Sequence, residues 1–309
     1  MEAISTLGMD RTKWLQLRKS GIGGSDASAI LGFNGYKSAF QLYVEKTSDL
    51  VEESDSEAAY WGNILEDIVA KEFAKQTGKK IRKLNRMLRH PKYHFMTANL
   101  DRDVVGEKAF LECKTASEYL KDSWRGDNVP AAYLCQVQHY LAVTGYEKAY
   151  IAVLIGGNKF VWKEIQRDDE FIELMIEREK DFWEKHVLKN VAPPIDGSDA
   201  TSDLLKKMYP EDDGSAITLD EQMNAVIEAI ESLKAEEKQL KTQREHYENQ
   251  LKMTLADAKE GHSNRFKVTY KTIKSNRIDS KRLKAEQPDI YKKYCNESLS
   301  RRLSIEEAN

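Results

Sequence analysis

Residues Ala98 to Thr115, A-N-L-D-R-D-V-V-G-E-K-A-F-L-E-C-K-T, constrain the fold more than any other stretch of the chain. They predict two short strands joined by a turn at Gly106-Glu107-Lys108. Asp101 ends or follows the first strand, and Ala109-Phe110-Leu111 leads into Glu112-Cys113-Lys114. Side chains of a strand alternate between faces, so Glu112 and Lys114 share one face and Cys113 takes the other. Two acids and a lysine converging at a hairpin can hold a divalent metal and a phosphate, because carboxylate oxygens suit a hard cation that keeps part of its water shell. The same acid-x-Lys pattern also makes ordinary surface salt bridges, so the rest of the chain has to decide between the two readings.

A chain of 309 residues is longer than one core needs, which predicts one large domain plus an appendage. The balance of 32% charged and 40% hydrophobic residues is that of a soluble globular protein. There is no apolar run long enough to span a bilayer and no basic-then-apolar secretory pattern at the start. Cys113, Cys135 and Cys295 are too widely spaced for a disulfide framework or a zinc site, which points to a reducing, cytoplasmic home. His90 and His94 are four apart, but Pro91 between them argues against a helical metal pair. A net charge of −3 does not advertise nucleic-acid binding, yet local patches matter more than the total.

Asp10 is placed to cap a helix carrying Trp14, Leu15 and Leu17-Arg18. Gly21-Ile22-Gly23-Gly24-Ser25-Asp26 follows, its glycines loosening the backbone before Ser25 or Asp26 caps a short helix; with Arg18 and Lys19 upstream this is a place for a phosphate or an ordinary capped helix. Ser38–Lys46 and Tyr60–Thr77 predict further helices, with Ile64-Leu65, Ile68-Val69 and Phe73 at core spacing. Ser48–Glu57 reads as an acidic loop. Glu66, among apolar neighbours on this helix, is either a solvated face residue or an acid at the edge of the core stripe, aimed into a cleft. Lys79–Phe95 is basic and extended, Trp124–Pro130 a mobile loop, and Ala131–Thr144 a strong helix bearing Gln136 and Tyr140 on one face. Tyr150–Ile155 suits a buried strand, Phe160–Ile165 its antiparallel partner, and Asp168–Lys189 a long helix. Beyond Pro193-Pro194, apolar residues from Leu219 to Ala258 step by threes and fours along a helix ended by Gly261, with a seam able to pair with another helix. A strand at Phe266-Val268-Tyr270 and a basic tail to Lys284 follow.

Five blocks in this order carry a resemblance: Arg18 with Gly21–Asp26, Trp61-Gly62-x-x-Leu65-Glu66, Asn99-Leu100-Asp101, Leu111-Glu112-Cys113-Lys114-Thr115, and Gln136-Val137-Gln138-x-Tyr140. Together, over roughly residues 10 to 190, they resemble the PD-(D/E)XK nucleases, and within them the YqaJ-type viral recombinases, relatives of phage lambda exonuclease. The resemblance implies an α/β (α+β) fold with a central mixed sheet flanked by helices, and a C-terminal coiled-coil-like extension lies outside it. The Pro-, Asp- and Ser-rich stretch Ala192 to Gly214 marks the boundary, dividing the chain into a nuclease domain (1–195), a linker (196–217) and the extension (218–309).

By the same resemblance, Asp101, Glu112, the Cys113 carbonyl and Glu66 hold Mg2+, or Mn2+ in its place, with two ions per site. Lys114 orients and deprotonates the water or stabilises charge on the phosphate. Gln136 and Tyr140 buttress the site, Gln138 being the less favoured glutamine, and Arg18 and Ser25 hold a DNA 5′ phosphate. Where such nucleases often have glycine after the first acid, Arg102-Asp103 stands here, leaving Asp103 as a competitor to Asp101. The implied activity is a 5′-to-3′ exonuclease on double-stranded DNA. It would leave 3′ single-stranded tails for recombination with a single-strand annealing protein of the RecT or Bet type. A homotrimer in the cytoplasm of a bacterial host is the implied setting. A structure-specific or nicking endonuclease shares the chemistry. A non-catalytic DNA-end or protein-binding module is the alternative of another class, supported by the long helix and basic tail.

Overall fold

A computed structural model describes residues 2–48 and 57–306. The chain forms two compact units, Met1–Met208 and Tyr209–Asn309. Most of the acidic loop expected at Ser48–Glu57 lies outside the described residues.

The first unit opens with β1 (Glu2–Ser5), α1 (Arg11–Lys19), α2 (Gly24–Ile30), α3 (Ala39–Thr47) and α4 (Glu57–Thr77). Short strands follow: β2 (Ile81–Arg82), β3 (Arg86–Arg89), β4 (Thr97–Ala98) and β5 (Arg102–Val104). Next come β6 (Ala109–Ala116), a 3-10 turn at Glu118–Trp124, α5 (Ala131–Thr144), β7 (Lys148–Ile155) and β8 (Lys159–Gln166). α6 (Asp169–Phe182) continues as a π-helical turn at Trp183–Val187, and α7 (Asp199–Met208) closes the unit.

The main sheet has the order β2-β5-β6-β7-β8. Only the β6–β7 pair is parallel, Glu112 lying opposite Ile151, so the sheet is mixed. The period-two pattern of β6 sorts its side chains. Ala109, Leu111 and Cys113 join Val69, Ala70 and Phe73 of α4 in one core layer. Phe110 joins Val137 and Leu141 of α5, Ala27 of α2 and Met175 of α6 in the other. Each such fully buried apolar side chain contributes roughly 1.5–3 kcal/mol. Glu112 and Lys114 therefore fall on the α5 face, inside the molecule rather than on its surface.

Several boundaries differ from the sequence expectation. Gly23, not Ser25 or Asp26, is the N-cap of α2, and Asp26 reaches back from the third helical position to accept the Gly23 N–H at 3.1 Å. Gly21 and Gly24 serve close packing. A Cβ on Gly21 would stand 2.6 Å from the Phe95 carbonyl oxygen, and one on Gly24 2.6 Å from Tyr140 Cε1 and 2.8 Å from Gln136 Cγ. On α4, Ile64 and Ile68 are exposed, and the buried face is Val69, Ala70 and Phe73. The Trp124–Pro130 loop is tied down, because Lys163 Nζ donates to the carbonyls of Trp124 and Asn128. Within the stretch read as linker, α7 packs Leu204 against Phe40 and Val44 of α3, and Thr201 Oγ1 donates to Ser38 Oγ at 2.8 Å.

The second unit is built on α8 (Glu221–Leu255), capped by Asp220, whose side chain accepts from Met223 N. The helix ends at Ala256 (φ +46°), short of Gly261, which lies in β9 (Glu260–His262). β9 pairs antiparallel with β10 (Lys267–Thr269), and α9 (Ser280–Glu286) and α10 (Pro288–Tyr294) follow. Met223, Val226, Leu233, Leu240, Tyr247 and Leu251 are all exposed along α8.

Candidate active site

β5 is short, and this creates the site. It pairs with β6 only through Arg102–Leu111 and Asp103–Phe110. Past Leu111 that edge of β6 has no strand partner, and Asp101 takes the place of one: its Oδ2 accepts the Cys113 N–H at 2.7 Å. In an extended strand the N–H and C=O of one residue leave by the same edge. The Cys113 carbonyl therefore opens toward Asp101, while its thiol lies in the α4-side core, where burial pushes its ionisation far up.

Glu112 is 2% exposed. Its Oε1 accepts from Lys114 Nζ at 2.7 Å and from Gln136 Nε2 at 2.6 Å. Lys114 Nζ also donates to Gln136 Oε1 at 3.0 Å, closing a ring of three side chains, and it sits 5.1 Å from the centroid of the Tyr133 ring. Tyr140 OH lies 3.5 Å from Gln136 Nε2, one helical turn along. The other Glu112 oxygen, Oε2, is buried with no partner among the described residues. An ionised carboxylate oxygen left so is costly without a cation. Burial, then the charge of Glu112, holds Asp101 well above the usual carboxylate range. Burial likewise raises Glu112, against the pull of Lys114. For Lys114, burial alone would lower the ammonium, but Glu112 and Asp101 outweigh it and hold it protonated. An oxygen-rich pair with an orphaned, buried oxygen fits a hard divalent cation.

Glu66 is near enough for its charge to be felt at both Asp101 and Glu112. It is held elsewhere, however: Arg102 Nη1 donates to Glu66 Oε1 at 2.5 Å and Arg102 Nη2 to Asp67, with Lys83 Nζ at 3.7 Å. Accordingly, no group of three acidic, His or Cys side chains converges at metal-ligand distances among the described residues. Arg102, the residue after Asp101, is the one that holds Glu66. Asp103 is engaged on its own, accepting from Arg82 at 2.7 Å and from Tyr146 OH at 3.0 Å. Asp101 is the acid beside Glu112. Gln138 is committed away from the site, donating to the Gln166 carbonyl and accepting from Asp168 N.

Arg18 lies over the Trp14 ring at 5.0 Å, and its charge is felt at Tyr140 and Asp26. Ser25 is exposed on α2, the helix that Gly24 allows to lie against Gln136 and Tyr140. Sequence reasoning missed two supports. Asp26 is buried and held charged, far below its ordinary value, despite burial: Lys46 Nζ lies at 2.9 Å and Lys37 Nζ at 3.8 Å. His139, fully buried on α5, meets Glu179 of α6 at 2.8 Å through Nδ1 and the Thr97 carbonyl at 3.0 Å through Nε2. It fastens the helix bearing Gln136 to the strand that leads into Asp101. The signal was there in two acids and one histidine at apolar positions.

A mixed sheet with an acid at the end of one strand, acid-x-lysine on the next and a glutamine of the following helix bonded to that acid is the arrangement that the sequence resemblance implied. Residues 13–147 match the YqaJ-like viral recombinase domain. The chain is 48% identical over 305 residues to the uncharacterized protein YqaJ of Bacillus subtilis strain 168, covering 97% of this chain and 96% of that protein. The chain belongs to the YqaJ-like viral recombinase family. Among solved structures, it is similar to an alkaline exonuclease from Laribacter hongkongensis, with a TM-score of 0.49 and 15% identity, covering 64% of this chain and 97% of that one. A phage-related exonuclease from Haemophilus somnus 129PT gives 0.41 and 16%, covering 58% of this chain and 100% of that one.

Proposed function

We propose that the protein is a Mg2+-dependent exonuclease that degrades one strand of duplex DNA from its 5′ end, leaving a 3′ single-stranded tail. One observation carries the reading. In a chain of the viral recombinase family, Asp101, Glu112, Lys114 and Gln136 meet in one largely buried cluster in which a carboxylate oxygen has no partner among the described residues.

Asp101, Glu112 and the Cys113 carbonyl are the groups that would hold a divalent ion, and such an ion supplies charge stabilisation at phosphorus and a more acidic water. Glu66 would complete the set for a second ion by exchanging Arg102 for it. Lys114, kept as an ammonium by Glu112, presents positive charge to the phosphate where negative charge develops in the transition state. This favours a charge-stabilising role for it over that of the base. Gln136 bridges Glu112 and Lys114 and so fixes the distance between acid and ammonium. Tyr140 stays neutral, since burial and both acids push its ionisation up, and it supports Gln136 without adding charge. Arg18 and Ser25 are the groups we assign to a terminal 5′ phosphate. The tail strand would pass to a single-strand annealing protein, and the working form would be a homotrimer on the duplex.

The test is end-labelled linear duplex, with and without a 5′ phosphate, with and without Mg2+. Expected is Mg2+-dependent loss of label from the 5′ end, faster with the phosphate, and a rate for Lys114→Ala lower by roughly 10²–10³-fold. Loss of label from 3′ ends first, or equal cutting of closed circular duplex, would replace the reading by another nuclease activity. Wild-type rate in Lys114→Ala would remove the site altogether.

A further inference from the structure

α8 has 35 residues, and none of them is buried among the described residues. A helix of that length spans on the order of 50 Å. In water, most of a helix's stability comes from packing an apolar face rather than from propensity. Intrahelical ion pairs, Glu231–Lys234 at 2.8 Å and Glu248–Lys252 at 3.8 Å, add only a little. The apolar face stands open instead. From Met223 to Thr254 the seam steps by three and four without a break, the alternation of a two-stranded coiled coil. At its middle, Leu233 is 64% exposed and Leu240 65%.

Two seam positions are charged, and they say what the seam faces. Glu237 and Arg244 stand in the row that also holds Ile230 and Leu251, while Leu233 and Leu240 belong to the other row. Arg244 Nε reaches Glu248 Oε1 at 3.3 Å on its own helix, an exposed pair of small worth that uses one of five guanidinium donors. In a parallel pair in register, each residue of a row meets its own counterpart. Glu237 would then meet Glu237 and Arg244 would meet Arg244, two like-charge contacts. Reversing one helix sets the two rows against each other. Because Glu237 and Arg244 both lie near the middle of α8, each glutamate then comes within about one turn of the other copy's arginine. The seam is complementary in charge to a reversed copy of itself and repels an aligned one.

We propose that α8 pairs with α8 of a second copy of this chain as an antiparallel two-stranded coiled coil, with Glu237 of each copy beside the partner's Arg244. The pairing is isologous, so the acid–arginine contact is made twice. It joins two copies of the chain through their second units, and any assembly formed by the first unit is thereby at least doubled. Nothing in it depends on the nuclease reading above.

Sedimentation of the full-length protein tests the proposal. Leu233→Glu combined with Leu240→Glu puts two charges into the seam at exposed positions. Expected is a particle of at most half the wild-type mass. Glu237→Arg and Arg244→Glu each turn both attractive contacts into repulsive ones, and each should weaken association roughly tenfold or more. A protein carrying both charge changes should associate as wild type does, a recovery that a folding defect would not give. A wild type with the same mass as the leucine variant would overturn the pairing, the seam then being covered within the chain or by another protein. Single charge changes that leave association unaltered would overturn the antiparallel arrangement, since an aligned pair already sets like charges together at both positions. A doubly changed protein that stays dissociated would overturn it as well.

Discussion

Two carboxylates are buried in the first unit about equally, and they differ in everything else. Asp26 is 1% exposed and Glu112 2%. Asp26 has two lysines and a backbone N–H about it, and these hold it ionised in spite of its burial. Glu112 has one lysine, which it shares with Gln136, and it has Asp101 and Glu66 as like-charged neighbours. One of its oxygens has no partner at all among the described residues. The first acid is complete within the protein; the second is complete only when something positive is added. Burial alone therefore does not mark a site. A buried acid short of compensation marks one where, as at Glu112, a second acid and a lysine converge on it; Glu179, also with an unpartnered oxygen, has only His139 beside it among the described residues.

The widest separation between the two is expected on removing their charges. Glu112→Gln keeps the shape and the hydrogen bonds of the side chain while deleting its charge. DNA cleavage with Mg2+ should fall by at least about 10²-fold, with the thermal midpoint unchanged or raised. Asp26→Ala should act in the opposite sense. It leaves Lys46, itself nearly buried, without its partner, and breaking a buried pair on one side costs roughly 3–5 kcal/mol. Chemical denaturation of the two variants beside a nuclease assay checks both arms. A Glu112→Gln protein as unstable as Asp26→Ala would erase the distinction.

A smaller effect is expected where the two acids are joined. Asp26 lies on α2, Gln136 and Tyr140 on α5, and Gly24 is the point at which the helices touch. Gly24→Ala places a methyl carbon 2.6 Å from Tyr140 Cε1 and 2.8 Å from Gln136 Cγ. Overpacking of this kind costs roughly 1–3 kcal/mol. Because the displaced groups orient Glu112 and Lys114, the rate should drop about tenfold or more even where the protein remains folded. The measurement is kcat against the folded fraction at one temperature; a rate that merely follows the folded fraction would make Gly24 a packing residue only.

These contrasts also mark what was legible in the chain. The alternation of Glu112, Cys113 and Lys114 was readable because the period of a strand is fixed by geometry. The same holds for Gln136 and Tyr140, set four apart on a helix. The mixed sheet and the viral recombinase family followed from the order of such blocks. What could not be read were pairings between residues distant in sequence. Arg102 takes hold of Glu66 across 36 positions, His139 meets Glu179 across 40, and Lys46 neutralises Asp26 from another helix. Gly24 was misread for the same reason: its lack of a side chain matters only once α5 is in place. The end of α8 at Ala256 rather than Gly261 was missed because a glycine is a permissive stop, not an obligatory one.

The smallest effect expected is the most discriminating, because it depends on sign alone. Asp26 has a lowered pKa in the folded protein, so the stability it contributes is present above the ordinary carboxylate value and is lost only as pH falls below it. Asp101 and Glu112 have raised pKa values, from burial first and then from like charge. Their folded forms hold protons that the unfolded chain has already released, so they subtract stability as pH climbs from the ordinary carboxylate value through the raised one. Without metal, lowering the pH from 8 toward 5 should therefore raise the thermal midpoint, since Asp26 stays charged over that range while the site is relieved. His139 and Glu179, both raised, add to the same trend, so the site's share has to be isolated. Asp101→Asn isolates it: the amide can no longer ionise, yet its carbonyl oxygen can still accept from Cys113 N. This variant should show a higher midpoint than wild type at pH 8 in the absence of metal, a flatter dependence on pH, and a weaker rise on addition of Mg2+. Thermal scans at three pH values with and without the ion measure all three. If Asp101→Asn instead lowers the midpoint at pH 8 as Asp26→Ala does, then Asp101 is compensated within the protein and belongs with Asp26 rather than with Glu112.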